Sequence, residues 1–292
     1  MHPAPSVILF SVLSGLGFGM LAWLGIGKPP MTGMFAFVFF FIAYALAVGG
    51  LLSATFHLGN PKNSLKAFSQ WRTSWLSREG CCAGAALMIM GIYAIGAIFF
   101  ETHWVIIGGI GAILSIVTVF TTSMIYAQLK TVPRWNHWTT PVLFVSLSVF
   151  GGALMTGQVT VAMYGFVVVG LIQVIAWFTS DNRFANSGST IETATGLGNI
   201  GKVRMFEPPH TGTNYLLKEM VYVIGRKHAA KLRLLAIILM VVIPVLMLGM
   251  GAQHGMKAIV AVLSHLVGVI ASRWLFFAEA EHVVGLYYGK RG

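Results

Sequence analysis

Charge is scarce in this sequence. Of its 292 residues only 9% are Asp, Glu, Lys or Arg, where a soluble domain carries roughly 25%. Acids are scarcer still, with 8 Asp and Glu against 19 Lys and Arg. Whole stretches hold no charge: 105–127, 139–180 and 234–253. This balance excludes a soluble globular protein. Ionisable groups inside a membrane usually mark ion or proton paths, so their absence from the helix centres also argues against a proton pump or ion-coupled transporter. Cysteine is nearly missing too. Cys81 and Cys82 are adjacent, which cannot give the four-ligand spacing of an iron–sulfur cluster, and they read as small buried side chains. No metal ligand set is expected.

What fills the sequence is hydrophobic residues, 57% of the total. They lie in continuous runs at about 6–25, 33–56, 80–100, 104–127, 139–157, 159–179, 232–250 and 256–277. Each approaches the ~20 residues that a helix needs to cross a bilayer, and none alternates as a barrel strand would. The expectation is an all-α integral membrane bundle of eight transmembrane helices forming one domain over 1–292. The 139–157 and 159–179 pair is the weakest division, with only Gly157 and Gln158 around the break. The first run lacks a preceding Lys or Arg and an A-x-A-like site, so it reads as a retained helix and not a cleaved signal.

Eight helices put both termini and the 57–79, 128–138 and 180–231 loops on one side. All 19 Lys and Arg lie there except Lys28, Lys257 and Arg273. By the positive-inside rule that side is the cytoplasm, and the membrane is the inner one. The net charge of +11 then answers to anionic lipid headgroups, not to nucleic acid. All eight Trp fall near predicted helix ends, as an interfacial aromatic belt would place them.

Three features remain for function. The 180–231 loop is too long to be a mere connection and suits a docking surface for a cytoplasmic partner. Its stretch 196-GLGNIG-201 matches G-x-G-x-x-G, but no strand precedes it and two prolines follow, so these read as loop glycines. Its last part, 214–233, reads as a helix leading into the seventh span. The second feature is the insert 53-SATFHLGNPKNSLKAFSQWRTSWLSREG-80, whose apolar residues at helical spacing suggest a short interfacial helix. An amphipathic anchor without chemistry is its bland reading. The third is the set of ionisable residues at helix ends on this side: His57 closing the second helix, Arg78 and Glu79 opening the third, and Arg273, Glu279, Glu281 and His282 closing the eighth. Arg273 is expected to snorkel to the headgroups.

Such a pocket suits a quinone, an apolar bilayer substrate whose head exchanges two electrons and two protons. His57 has the ordinary pKa for the proton step, and Glu79 could pass the proton onward. Arg72 or Arg78 could hold Glu79 or stabilise negative charge on the ring. Trp71 and Trp75 could pack on it, and Arg273 and Glu279 complete the candidate pocket. A satisfied interfacial histidine is the alternative for His57. A haem held by His57 with His265 or His282 is the rival cofactor, with His137 a further histidine candidate.

The motifs HLGNP, WRTSWLSRE, PPHTGTNYLLKEM, RKHAAKLR and RWLFFAEAEH, with the opening HPAPSVILF, resemble the eight-helix membrane-anchor family of dimethyl sulfoxide reductase, which also supplies the anchor of quinone-dependent sulfite dehydrogenase. The resemblance runs nearly end to end. It implies a complex with a molybdenum catalytic subunit and a four-cluster iron–sulfur subunit, so that molybdenum cofactor and clusters sit in partners. It implies ubiquinone or menaquinone as substrate and no haem in this chain. In the family the HLG histidine and the SRE glutamate are implicated at the quinone site, and these match His57 and Glu79. With the docking side cytoplasmic, sulfite oxidation coupled to quinone reduction is the expected activity. A quinol-oxidising reductase anchor is the alternative. A purely structural anchor or a transporter is the reading from another class.

Overall fold

The apolar runs fold as helices because a backbone without water must satisfy its own hydrogen bonds. The computed structural model describes residues 1–292 except 57–65, 67, 208, 209, 213, 223, 225, 252–254 and 290–292. Among the described residues there is no strand. The long helices are α1 (Pro5–Gly25), α2 (Gly33–Thr55), α3 (Trp75–Phe99), α4 (Val105–Ala127), α5 (Thr139–Met155) and α6 (Val159–Ser180). Short helices α7 (Arg183–Asn186), α8 (Ile191–Thr195) and α9 (Tyr215–Glu219) come next. Then α10 (Ala229–Ile237), a π turn (Ile238–Val242) and α11 (Ile243–Gly249) form one broken span, and α12 (Met256–Ala278) is the last long helix.

Seven helical segments are long and apolar enough to cross a membrane, the broken one counted as Arg226–Gly249. The apolar α5, with 17 residues, falls short of that length. At 1.5 Å per residue it spans ~25 Å, less than the ~30 Å hydrocarbon core. It is packed against α1, α4 and α6 inside the bundle, which spares it a full lipid-facing length.

α1 is the central helix, with 61% of its apolar window buried, and it contacts α2, α4, α5 and α12. Small residues allow this: Gly19 meets the backbone of Ser148 so closely that no Cβ fits, and Gly152 in turn meets Gly19. Cross-helix bonds fix the register, with Trp23 Nε1 donating to the Val149 carbonyl (2.8 Å) and Ser148 Oγ to that of Gly15 (2.5 Å). In the broken span, Pro244 has no N–H and so leaves the Met240 carbonyl without its helical donor. His265 Nδ1 on α12 replaces it at 2.9 Å, while Ser264 Oγ donates to the neighbouring Leu239 carbonyl at 2.7 Å.

Several sequence expectations change. Ser74 caps α3, so the helix starts at Trp75 and carries Arg78 and Glu79 inside its first turns, not at its opening. Cys81 is exposed and Cys82 half-buried, not core residues. Trp135 is buried, stacked on Phe276 at 5.2 Å with its Nε1 on the Phe276 carbonyl, and so is no belt residue. The 214–233 segment is not one helix. α9 stops at Glu219, where the His2 N–H takes the Glu219 carbonyl that a further turn would use.

Candidate functional site

Arg134 after α4, Asp181 after α6, Arg233 on α10 and Glu279 after α12 meet at one end of the bundle, the charged end, where α3 also begins. His57, the first sequence candidate, lies outside the described residues, as does most of the expected interfacial helix. The described part, 68–74, is a series of turns folded back on the start of α3, with Phe68 against Gly80.

Here Arg78 is committed locally. Its Nε donates to the Trp71 carbonyl (2.9 Å) and its Nη2 to that of Arg72 (2.7 Å), while its guanidinium sits 4.3 Å over the Trp75 ring. Arg72 lies 5.5 Å over Trp71, and both are exposed. These four residues form a cap on α3. They do not hold Glu79, a role that the sequence suggested for Arg72 or Arg78.

Glu79 points into the bundle and is 4% exposed. Its partner is a hydroxyl: Thr122 Oγ1 on α4 donates to Oε1 at 2.5 Å. Thr122 also reaches the Thr118 carbonyl of its own helix at 2.9 Å, so one hydroxyl proton is shared between two acceptors. If Glu79 is protonated, its own O–H can donate to Thr122, and both acceptors are satisfied. The arrangement therefore suits either protonation state of the carboxyl. Of the polar residues on α4 and α6, Thr122 and Gln173 link helices, the latter accepting from Ser272 at 2.7 Å. Thr118 and Thr121 bond within α4 instead.

Arg273 does not snorkel. It is 2% exposed, with its guanidinium 3.5 Å over the Phe144 ring, and among the described residues its Nε and Nη1 have no hydrogen-bond partner. Its place on α12, facing α5, turns it away from the headgroups. The cation–π contact partly offsets the cost of burial.

Glu279 stands apart from Glu79, at the far end of α12. Arg134 Nη2 reaches it at 2.6 Å and Arg233 Nε at 2.8 Å, and Asp181 bridges the same two arginines at 3.0 and 2.6 Å. Burial pushes the Asp181 carboxyl up, but the Arg233 and Arg134 contacts outweigh it and hold Asp181 below the usual carboxylate range. Arg183 extends the cluster, donating to the Arg134 carbonyl at 3.1 Å. Burial, then the Arg134 charge, lowers it to about 10. Arg226 pairs with Glu281 at 3.1 Å. Sequence reasoning missed Arg134, Asp181 and Arg233 as partners of Glu279. The signal available was the rarity of acids on a basic side, which makes each one a magnet for arginines.

Of the other histidines, His265 is buried and stacked 4.3 Å from Phe166, with Nδ1 on the Met240 carbonyl. His137 contacts Thr139 Oγ1 (3.0 Å), and His282 accepts from the Val284 N–H (3.0 Å). Burial lowers the pKa of both, helped by the Arg183 charge at His137 and by the N-terminal charge at His282. The G-x-G-x-x-G stretch is a turn after α8, with Gly196 in the left-handed region at φ 69°. Among the described residues no three His, Cys, Asp or Glu come together as a metal site.

A family model described as "DMSO reductase anchor subunit (DmsC)" matches residues 2–289. A sulfite dehydrogenase subunit of Allochromatium vinosum is 28% identical, with 99% of each chain covered. No solved structure matches.

Proposed function

Since this chain belongs to the DMSO reductase anchor subunit family, we propose that it anchors a molybdenum and iron–sulfur oxidoreductase in the inner membrane and supplies its quinone site. A four-cluster iron–sulfur subunit docks at the charged end, against the 180–231 loop, and a molybdenum subunit sits beyond it. Both termini face the cytoplasm, and α5 completes a set of eight crossings. The catalytic substrate is sulfite, in keeping with the name of the Allochromatium relative. Electrons leave the clusters for a quinone held near the start of α3.

In this reading Glu79 carries the proton step. One observation supports it above the rest: a carboxyl buried in a membrane helix with, among the described residues, a hydroxyl partner and no cation on it. Such a group is costly to keep and is retained for function. His57 meets the quinone head, the Arg78 cap with Trp71 and Trp75 walls the approach, and Glu79 gives or receives the proton. The test is Glu79→Gln in the assembled complex. Quinone-linked turnover should fall on the order of 100-fold while assembly and dye-linked sulfite oxidation persist. Undiminished turnover would leave only an anchor.

The reductase in the family's description supports a second reading, a reductase anchor; in it we propose that quinol is oxidised and the partners face outward. A reporter fused to the C-terminus decides between them, since activity only on the outer side rules out the sulfite reading.

A further inference from the structure

Glu79 is almost shut off from solvent, yet a proton-transfer group must exchange with water. Three cavities that share lining residues lead from its partner Thr122 to the arginine cluster around Glu279. The first, about 30 Å³, lies between α1, α4, α5 and α12, and Ser11, Ser14, Thr122, Ser148, His265 and Arg273 line it. The second, also about 30 Å³, shares Arg273 with the first and adds Arg134, Gln173, Ser180, Ser272 and Glu279. The third, about 180 Å³, shares Arg134, Ser180 and Glu279 with the second and takes in Asp181, Arg226 and Arg233. Asp181, 43% exposed in its side chain, marks the mouth. A cavity needs roughly 10–15 Å³ to hold a water, provided that polar groups can bond it. Both small cavities meet that condition, and the wall they share carries the unpartnered Nε and Nη1 of Arg273.

We propose that Glu79 exchanges its proton through this row of cavities, by water held between the Arg273 guanidinium and the Thr122 hydroxyl. The inference rests on the proton role proposed for Glu79. An unpaired guanidinium would repel an excess proton, but it stabilises hydroxide and makes its bound water a better donor. Delivery therefore starts at the hydroxyl. The Thr122 Oγ1 proton moves to Glu79 Oε1, a cavity water replaces it, and hydroxide remains beside Arg273. A proton relayed along water from the mouth then turns that hydroxide back into water. No electron moves, and one proton enters for each one that Glu79 gives up.

Gly15 provides the clean intervention. It lines the first cavity, makes no bond to Glu79 or Arg273 among the described residues, and a Cβ there meets open space. The experiment is X-ray radiolytic labelling of the membrane-bound complex, read by mass spectrometry, together with quinone-linked turnover. Phe144 and Leu147, which line the cavity, should label far above the lipid-facing Phe35 and Phe37. Gly15→Val should suppress that labelling and slow turnover about fivefold, the loss of roughly one hydrogen-bonded step. Thr122→Val, the second variant if Gly15→Val does not assemble, should slow turnover while the labelling persists. A Phe144 as unlabelled as Phe37 overturns the hydrated route. Suppressed labelling with unchanged turnover in Gly15→Val, or unchanged turnover in Thr122→Val, overturns its use by Glu79. Either result leaves the quinone reading standing, which falls only if Glu79→Gln is silent.

Discussion

Two carboxylates sit at the same end of this bundle in opposite surroundings. Glu279 is clasped by two guanidiniums and shares them with Asp181. Glu79 has one threonine hydroxyl. The first environment is built on paired charges, and without the Glu279 carboxylate Arg134 and Arg233 would keep only Asp181 between them. The second tolerates both states of the carboxyl. In a chain with so few acids, one ties loops together and another is buried against a hydroxyl.

The contrast can be broken at its strong side first. Glu279→Ala leaves two partly buried arginines short of a partner and should cost about 3–5 kcal/mol, read as a lower melting temperature in detergent and poor assembly. Glu79→Gln should hardly move the melting temperature, although it removes most quinone-linked turnover. Thr122→Val should cost about 1 kcal/mol of stability, since it deletes one neutral hydrogen bond to a group that must stay buried. The smallest effect concerns pH. The folded pKa of Asp181 is depressed, so its contribution is present above its unfolded value and disappears as pH falls through the lower folded one. The melting-temperature gap between the wild type and Asp181→Asn should therefore close below about pH 4.

Composition and run length were enough to read a helical membrane protein, because hydrocarbon permits few other solutions. The start of α3 was not legible, since Ser74 as a cap and the Arg78 bonds back to Trp71 and Arg72 outweigh the polarity of residues 75–79. Glu79 stood out as an acid beside a long apolar run, but its partner Thr122 lies 43 residues away in an unremarkable row of threonines. The Glu279 cluster draws on the 128–138 loop, the end of α6 and the start of α10, a convergence that no local pattern announces. Arg273 misled because position along a helix sets depth but not facing, and the Phe144 ring decides the facing.

The π turn in the seventh span adds one residue to a helical cycle, which rotates the remainder of the rod by about 100° relative to an uninterrupted helix. All three parts pack on α12, and α11 and the turn also seat against α6. The two halves of one rod are thereby phased independently. Arg233 can face the acids at the charged end while Leu248, about four turns away, still faces the core.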